Sequence, residues 1–240
     1  PNPTSFLASG IPIPLPKDFS PHSISWNADG QRAVIPGSNK RMLVLNPASP
    51  DKPLLIENAS SSHISLPGPA SPSGTGSIIL SPDGRWIVSG RYTMDTRVTI
   101  WDATTGKGAA KLDTPNCHVT FSRDGRHLLA TGFNDATLWE TGSWKRLWRK
   151  ERQPLLSGGS AGAFLPDNKV LAWNRDNTTI DLLSLNGDPV ATLQVPDIGF
   201  IASIRAAQSS DRLFIGGMEG RMLSLDLGQL RKELAALHLD

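Results

Sequence analysis

The chain has one cysteine and one tyrosine in 240 residues. A lone thiol, Cys117, forms no internal disulfide, so no disulfide framework holds this fold. Long apolar runs are missing too. None reaches the ~18 residues of a membrane-spanning helix, so no helical membrane insertion is expected. Charge of one sign is not in excess. Lys and Arg number 24 against 22 Asp and Glu, a formal net charge of +2, which gives no global pull toward DNA or an anionic membrane. Turn-forming residues are plentiful, with 22 Gly and 19 Pro, and the hydrophobic fraction of 38% argues against disorder. The first residue is Pro1 and no charged-then-apolar leader follows it. The chain therefore reads as a piece of a longer protein, covalently linked to an upstream domain. Its N-terminus does not give the compartment; the cytoplasm is slightly favoured, with an extracytoplasmic location the alternative if a membrane segment lies upstream.

One turn recurs: Ala28-Asp29-Gly30, Pro82-Asp83-Gly84, Arg123-Asp124-Gly125, Pro166-Asp167-Asn168 and Ser210-Asp211-Arg212. The five aspartates are spaced 54, 41, 43 and 44 residues apart. The residue three before the Asp is Trp26, Leu80, Phe121 or Phe164, with Gln208 the exception. Ile24, Ile78 and Val119 occupy the alternate position before it, which is strand periodicity. A short apolar run follows each turn, as in Trp86-Ile87-Val88 and Leu128-Leu129-Ala130, and suits a strand buried on both faces. The Asp-Gly turn between them predicts a hairpin: Asp bonds its own downstream backbone and Gly accepts a positive φ. Third strands follow, the clearest being Arg97–Asp102. More polar fourth strands are predicted at 53–56, 109–112, 145–148 and 190–193. Four antiparallel strands per unit, repeated, make propeller blades.

With these features the chain resembles the WD-repeat family, whose period is ~40–45 residues. Leu80-Ser81-Pro82-Asp83-Gly84 through Trp101-Asp102 is the closest repeat, and Phe121-Ser122-Arg123-Asp124-Gly125 through Trp139-Glu140 the next. The resemblance covers roughly residues 20–227 and implies an all-β β-propeller. Residues 1–19 form a lead-in, and 228–240 a C-terminal helix on which Leu230, Leu234 and Leu237 share one face. Five blades are visible, with a part of a seven-bladed ring as the alternative. The fifth repeat lacks a fourth strand, and residues 11–15 are the expected ring-closing strand. The family's blades are pinned by a polar network, whose roles the resemblance gives to Ser89, Asp95 and Trp101 in the second blade and to Thr131 and Trp139 in the third. The family's inter-blade histidine is missing, so the chain resembles a degenerate, bacterial member. It is similar to the C-terminal propellers of large multidomain bacterial proteins, some with a Ser/Thr kinase domain upstream.

Motifs for chemistry are sparse. Gly158-Gly159-Ser160-Ala161-Gly162 fits G-x-S-x-G, but a blade strand follows it rather than the elbow helix of a hydrolase. No two histidines sit at i+3 or i+4, so no metal site is expected, and no cofactor. Cys117 beside His118 reads as a small buried strand residue rather than an activated thiol. The basic stretch 144–152 interleaves Lys and Arg with Trp144 and Trp148, a composition nucleic-acid grooves use. It falls on an outer strand, where cations block edge pairing, so no nucleic-acid partner is expected. The resemblance implies a non-catalytic scaffold that binds a protein or peptide segment. Its candidate rim is the loops between second and third strands, which carry Ser38, Asn39, Arg91, Tyr92, Asn134, Arg175, Asp176 and Glu219. Alternatives are the sensor propeller of a bacterial Ser/Thr kinase and, less favoured, a propeller hydrolase or lactonase.

Overall fold

The computed structural model describes residues 13, 15–21, 23–46, 48–49, 52–57, 59, 78–90, 97–115, 117–152, 160–207 and 210–236. They form five antiparallel sheets, stacked as propeller-like blades, and one short helix. Blade 1 is β1 (Ser25–Trp26), β2 (Ala33–Gly37), β3 (Arg41–Leu45) and β4 (Leu54–Ile56). Blade 2 is β5 (Ile78–Leu80), β6 (Trp86–Ser89), β7 (Arg97–Asp102) and β8 (Gly108–Pro115). Blade 3 is β9 (Cys117–Phe121), β10 (His127–Gly132), β11 (Asp135–Glu140) and β12 (Arg146–Glu151). Blade 4 is β13 (Gly162–Phe164), β14 (Val170–Asn174), β15 (Thr179–Ser184) and β16 (Pro189–Gln194). Blade 5 is β17 (Ile201–Ala206), β18 (Arg212–Gly217) and β19 (Met222–Asp226), and α1 (Leu227–Ala236) follows it. Within each blade the strands pair in sequence order. First strands of neighbouring blades touch, β1 with β5, β9 with β13 and β13 with β17, so they line the inner side of the array.

The recurring turn forms as its chemistry dictates. Asp29, Asp83, Asp124 and Asp167 each accept the amide two residues downstream, at 2.8–3.1 Å. The next residue needs a left-handed backbone, and Gly30, Gly84, Gly125 and Asn168 have φ of +71°, +71°, +70° and +56°. In blades 2 and 3 a serine closes the turn. Ser81 and Ser122 donate to the Asp carboxylate and accept the amides of Trp86 and His127 at 2.9 Å.

The apolar core falls into four clusters, one at each successive blade junction. Met42, Val44 and Ile56 meet Leu80, Ile87 and Trp101. Val98, Ile100 and Leu112 meet Val119, Leu128 and Trp139. Leu129 and Leu138 meet Phe164, Leu171 and Trp173. Ala163, Ile180 and Leu182 meet Ile204, Leu213 and Ile215. Helix α1 seats Leu227 and Leu230 against this last cluster, and Asp226 accepts the amide of Gln229 at its start.

Of the expected ring-closing strand 11–15, Ile13 and Leu15 are exposed and belong to no strand, and residues 11, 12 and 14 lie outside the described residues. The expected blade network fails in part. Ser89 Oγ, Thr131 Oγ1 and Trp139 Nε1 are buried without a hydrogen-bond partner. Trp139 pairs with Leu128 while Thr131 pairs with Ala136, so the two backbone positions lie three residues, about 10 Å, apart along the ladder. Asp95 lies outside the described residues. Trp101 is buried at the junction of blades 1 and 2, and Asp102 after it caps the next turn, accepting the amides of Thr104 and Thr105.

Candidate functional site

The inner strands of blades 1, 2 and 3 end together at the Asp-turn rim. Between them lies a cavity of about 440 Å³ lined by Ser25, Trp26, Ala28, Ile79, Leu80, Pro82, Thr120, Phe121, Ser122 and Arg123. Its lining mixes apolar Trp26, Ile79, Leu80, Pro82 and Phe121 with polar Ser25, Thr120, Ser122 and Arg123. Trp26 is 48% exposed, an indole open to solvent at the cavity. The equivalent Leu80 of blade 2 is buried, and Phe121 of blade 3 half-buried.

The rim around this mouth is cross-tied between blades. Ala28 donates its amide to Pro82 O (3.0 Å), and Leu80 donates to Ser25 Oγ (3.3 Å). Arg32 Nη1 donates to Gly84 O (2.8 Å) and Thr104 Oγ1 (3.2 Å). Arg123 receives support on both sides: its amide donates to Asn168 Oδ1 of blade 4 (2.8 Å), and its Nη2 to Ala207 O beyond β17 (2.9 Å). Burial works to raise the Asp124 pKa, but hydrogen bonds from Ser122 and the Arg126 amide, with the nearby His127 and Arg126 charges, hold it below its ordinary value. The turn carboxylate thus stays charged and keeps its backbone clamp.

Deeper along β9, burial and then the positive charge of Arg205 lower the His118 pKa to about 4. The imidazole is neutral at physiological pH, and its Nδ1 is buried without a partner. Burial, with the Asp135 carboxylate nearby, pushes the Cys117 thiol well above its ordinary value, which is the opposite of activation. Ser160 Oγ, the serine of the G-x-S-x-G stretch, accepts a hydrogen bond from Arg152 Nη2 at 2.9 Å and is buried; Gly158 and Gly159 lie outside the described residues. Among the described residues no group of three His, Cys, Asp or Glu is placed to hold a metal ion.

The candidate rim from the sequence sits at the opposite end of the blades. Ser38 and Asn39 occupy the β2–β3 turn, where they bond Asp18 O and so fasten the lead-in to blade 1. Asn134, exposed in the β10–β11 turn, accepts the Arg152 amide. Arg175 pairs with Asp181 at 3.3 Å, and Asp176 accepts the amides of Thr178 and Thr179. Glu219 lies exposed in the β18–β19 turn. Arg91 and Tyr92 lie outside the described residues. The placed members are spread over four blades at one end, and several serve their own loops. The basic stretch 144–152 is likewise spent within the chain. Trp144 sits edge-on to Trp86, Trp148 Nε1 donates to Leu185 O of blade 4, and Arg149 pairs with Asp135 at 2.6 Å.

Trp26, Leu80 and Phe121 are visible in the sequence as a repeated position, but nothing local says that three such positions converge. The usable signal is size: Trp stands in blade 1 where its neighbours carry smaller side chains. Comparison with protein-family models and with curated proteins finds no match for this sequence.

Proposed function

We propose that this chain is a non-catalytic, WD-repeat-type binding module, a scaffold domain that holds a protein or peptide segment at the Asp-turn mouth of its inner strands. The cavity beside Trp26 carries this reading. Pockets of roughly 300–1,000 Å³ with aromatic walls and a few fixed polar groups are where proteins seat ligand side chains. Trp and Arg dominate binding energy where they line such pockets, and here Trp26 and Arg123 face the same cavity. The cross-tied rim supports the reading further, because a mouth held rigid before binding loses little entropy on capture.

The test uses peptides selected from a displayed random library against the parent chain. Their affinities are then measured for Trp26→Ala and for Asn39→Ala/Glu219→Ala at the far end. Loss of a central aromatic anchor costs about 2 kcal/mol or more, so Trp26→Ala should weaken binding about 30-fold while the far-end variant binds as the parent does. Selected peptides that ignore Trp26 and lose affinity in the far-end variant would overturn the assignment.

A further inference from the structure

Charge is distributed unevenly over the inner side of the array. The first strands of the five blades, β1, β5, β9, β13 and β17, contain no Asp or Glu, and their only Lys or Arg is Arg205 of β17. Arg205 Nη1 donates to Ile204 O at 2.9 Å, a neutral acceptor. Next to burial, the charge of Arg205 is what holds down the pKa of His118 on β9, so this cation acts across the inner side. Two residues beyond Arg205, the carbonyl of Ala207 accepts Arg123 Nη2. Among the described residues that line the Trp26 cavity, Arg123 alone is charged. Its amide is held by Asn168 Oδ1. Ala207 O and Asn168 Oδ1 are both neutral, so these contacts fix Arg123 at the mouth without cancelling its charge. The carboxylates of this rim are committed locally. Asp29, Asp83 and Asp124 accept amides of their own turns, and Ser81 and Ser122 donate to the last two.

We propose that the segment held at this mouth is acidic: an aromatic or large aliphatic side chain packs on Trp26 and Phe121, and a neighbouring Asp or Glu carboxylate of the same segment pairs with Arg123. This deepens the peptide-binding reading above and rests on it. Hydrogen bonds from a guanidinium to a carboxylate are charge-assisted and roughly twice as strong as neutral ones. The cavity is mixed in the way such a segment needs. Phe121 precedes Arg123 by two residues, and the exposed Trp26 lines the same space. An exposed indole can also hold a cation over its face, but Arg123 and Arg205 repel a Lys or Arg side chain brought to this mouth, so basic segments are selected against. The same field draws acidic segments toward the mouth and speeds their association.

The test uses peptides selected against the parent chain from a displayed random library. Those whose binding depends on Trp26 should carry Asp or Glu beside an aromatic or large aliphatic residue. The tightest is then remade with its acid replaced by the matching amide. The amide form should bind the parent chain about tenfold more weakly. Arg123→Gln should bind both forms alike, at the weaker level. Salt gives a readout that needs no variant: raising it from about 0.05 to 0.5 M should weaken the acidic form several-fold and leave the amide form nearly unchanged. Trp26-dependent peptides that are basic, or that bind equally as acid and amide, overturn the acidic selection and leave the peptide site standing. An acid–amide difference that persists in folded Arg123→Gln overturns the pairing with Arg123. Peptides indifferent to Trp26 overturn the site itself, and this selection with it.

Discussion

Removing the guanidinium of Arg152 should lower the stability of blades 3 and 4 together. Arg152 follows β12 and reaches between the two blades. Its Nε donates to Phe133 O (3.1 Å), its Nη1 to Asn174 O and to Asn174 Oδ1 (3.2 Å), and its Nη2 to Gly132 O and to Ser160 Oγ (2.9 Å). The group also lies over the Trp173 ring, 5.4 Å from its centroid. These five acceptors match the five N–H donors of a guanidinium. A hydrogen bond to a charged group contributes about 1.5–3 kcal/mol. Five from one group do not add, and the half-buried site lets water replace some, so Arg152→Met should cost about 3–4 kcal/mol. Methionine keeps most of the aliphatic stem, which separates the polar loss from lost packing. For a chain of this size 1 kcal/mol moves Tm by about 2–4 °C, so the midpoint should fall by roughly 6–15 °C. Thermal melts followed by circular dichroism read it directly. Arg152→Lys should recover only part, because an ammonium cannot reach acceptors on both blades at once. A midpoint for Arg152→Met within about 2 °C of the parent, less than 1 kcal/mol, would refute the cage as a source of stability.

His118 makes acid pH destabilising. Its folded pKa is about 4, below the ordinary 6.5. As pH falls from 6.5 toward 4, the unfolded chain takes up a proton that the folded chain refuses, so stability drops across that window. His118→Gln should flatten the fall, measured as urea midpoints at pH 7, 6, 5 and 4 (order-of-magnitude steps in proton activity); an unchanged slope would assign the acid sensitivity elsewhere. Cys117 works at the other end. Its thiol pKa is raised in the fold, so stability declines as pH rises past the unfolded thiol's pKa. A disulfide reagent at pH 8 should label Cys117 only as fast as the chain opens, and stoichiometric labelling of the folded chain within seconds would contradict its burial.

Much of the fold was legible because its rules are local. Alternation at Ile78/Leu80 and Val119/Phe121 pointed to strands, since a pleat places side chains with period two, and the apolar run Leu128–Ala130 to a strand buried on both faces. Asp83-Gly84 and its repeats gave hairpins, since a carboxylate reaching two residues on, and a left-handed glycine after it, need no distant partner. The fourth strands and the C-terminal helix were found within a few residues of their positions. The Thr131–Trp139 network was misread, because pairing register rather than composition sets it.

The recurring turn and strand pattern is what the sequence by itself determined. Which turns meet was decided only by the tertiary structure. Arg123 finds Ala207 across 84 residues of chain, and Arg152 finds Asn174 in the next blade. Trp26 becomes an exposed wall of a cavity while Leu80, at the same place in its repeat, is buried. Met42 and Met222 are the same residue at the same repeat position, one sealed and one open. Their difference lies in what packs beside each blade, and that depends on the stacking of whole sheets rather than on any window of sequence.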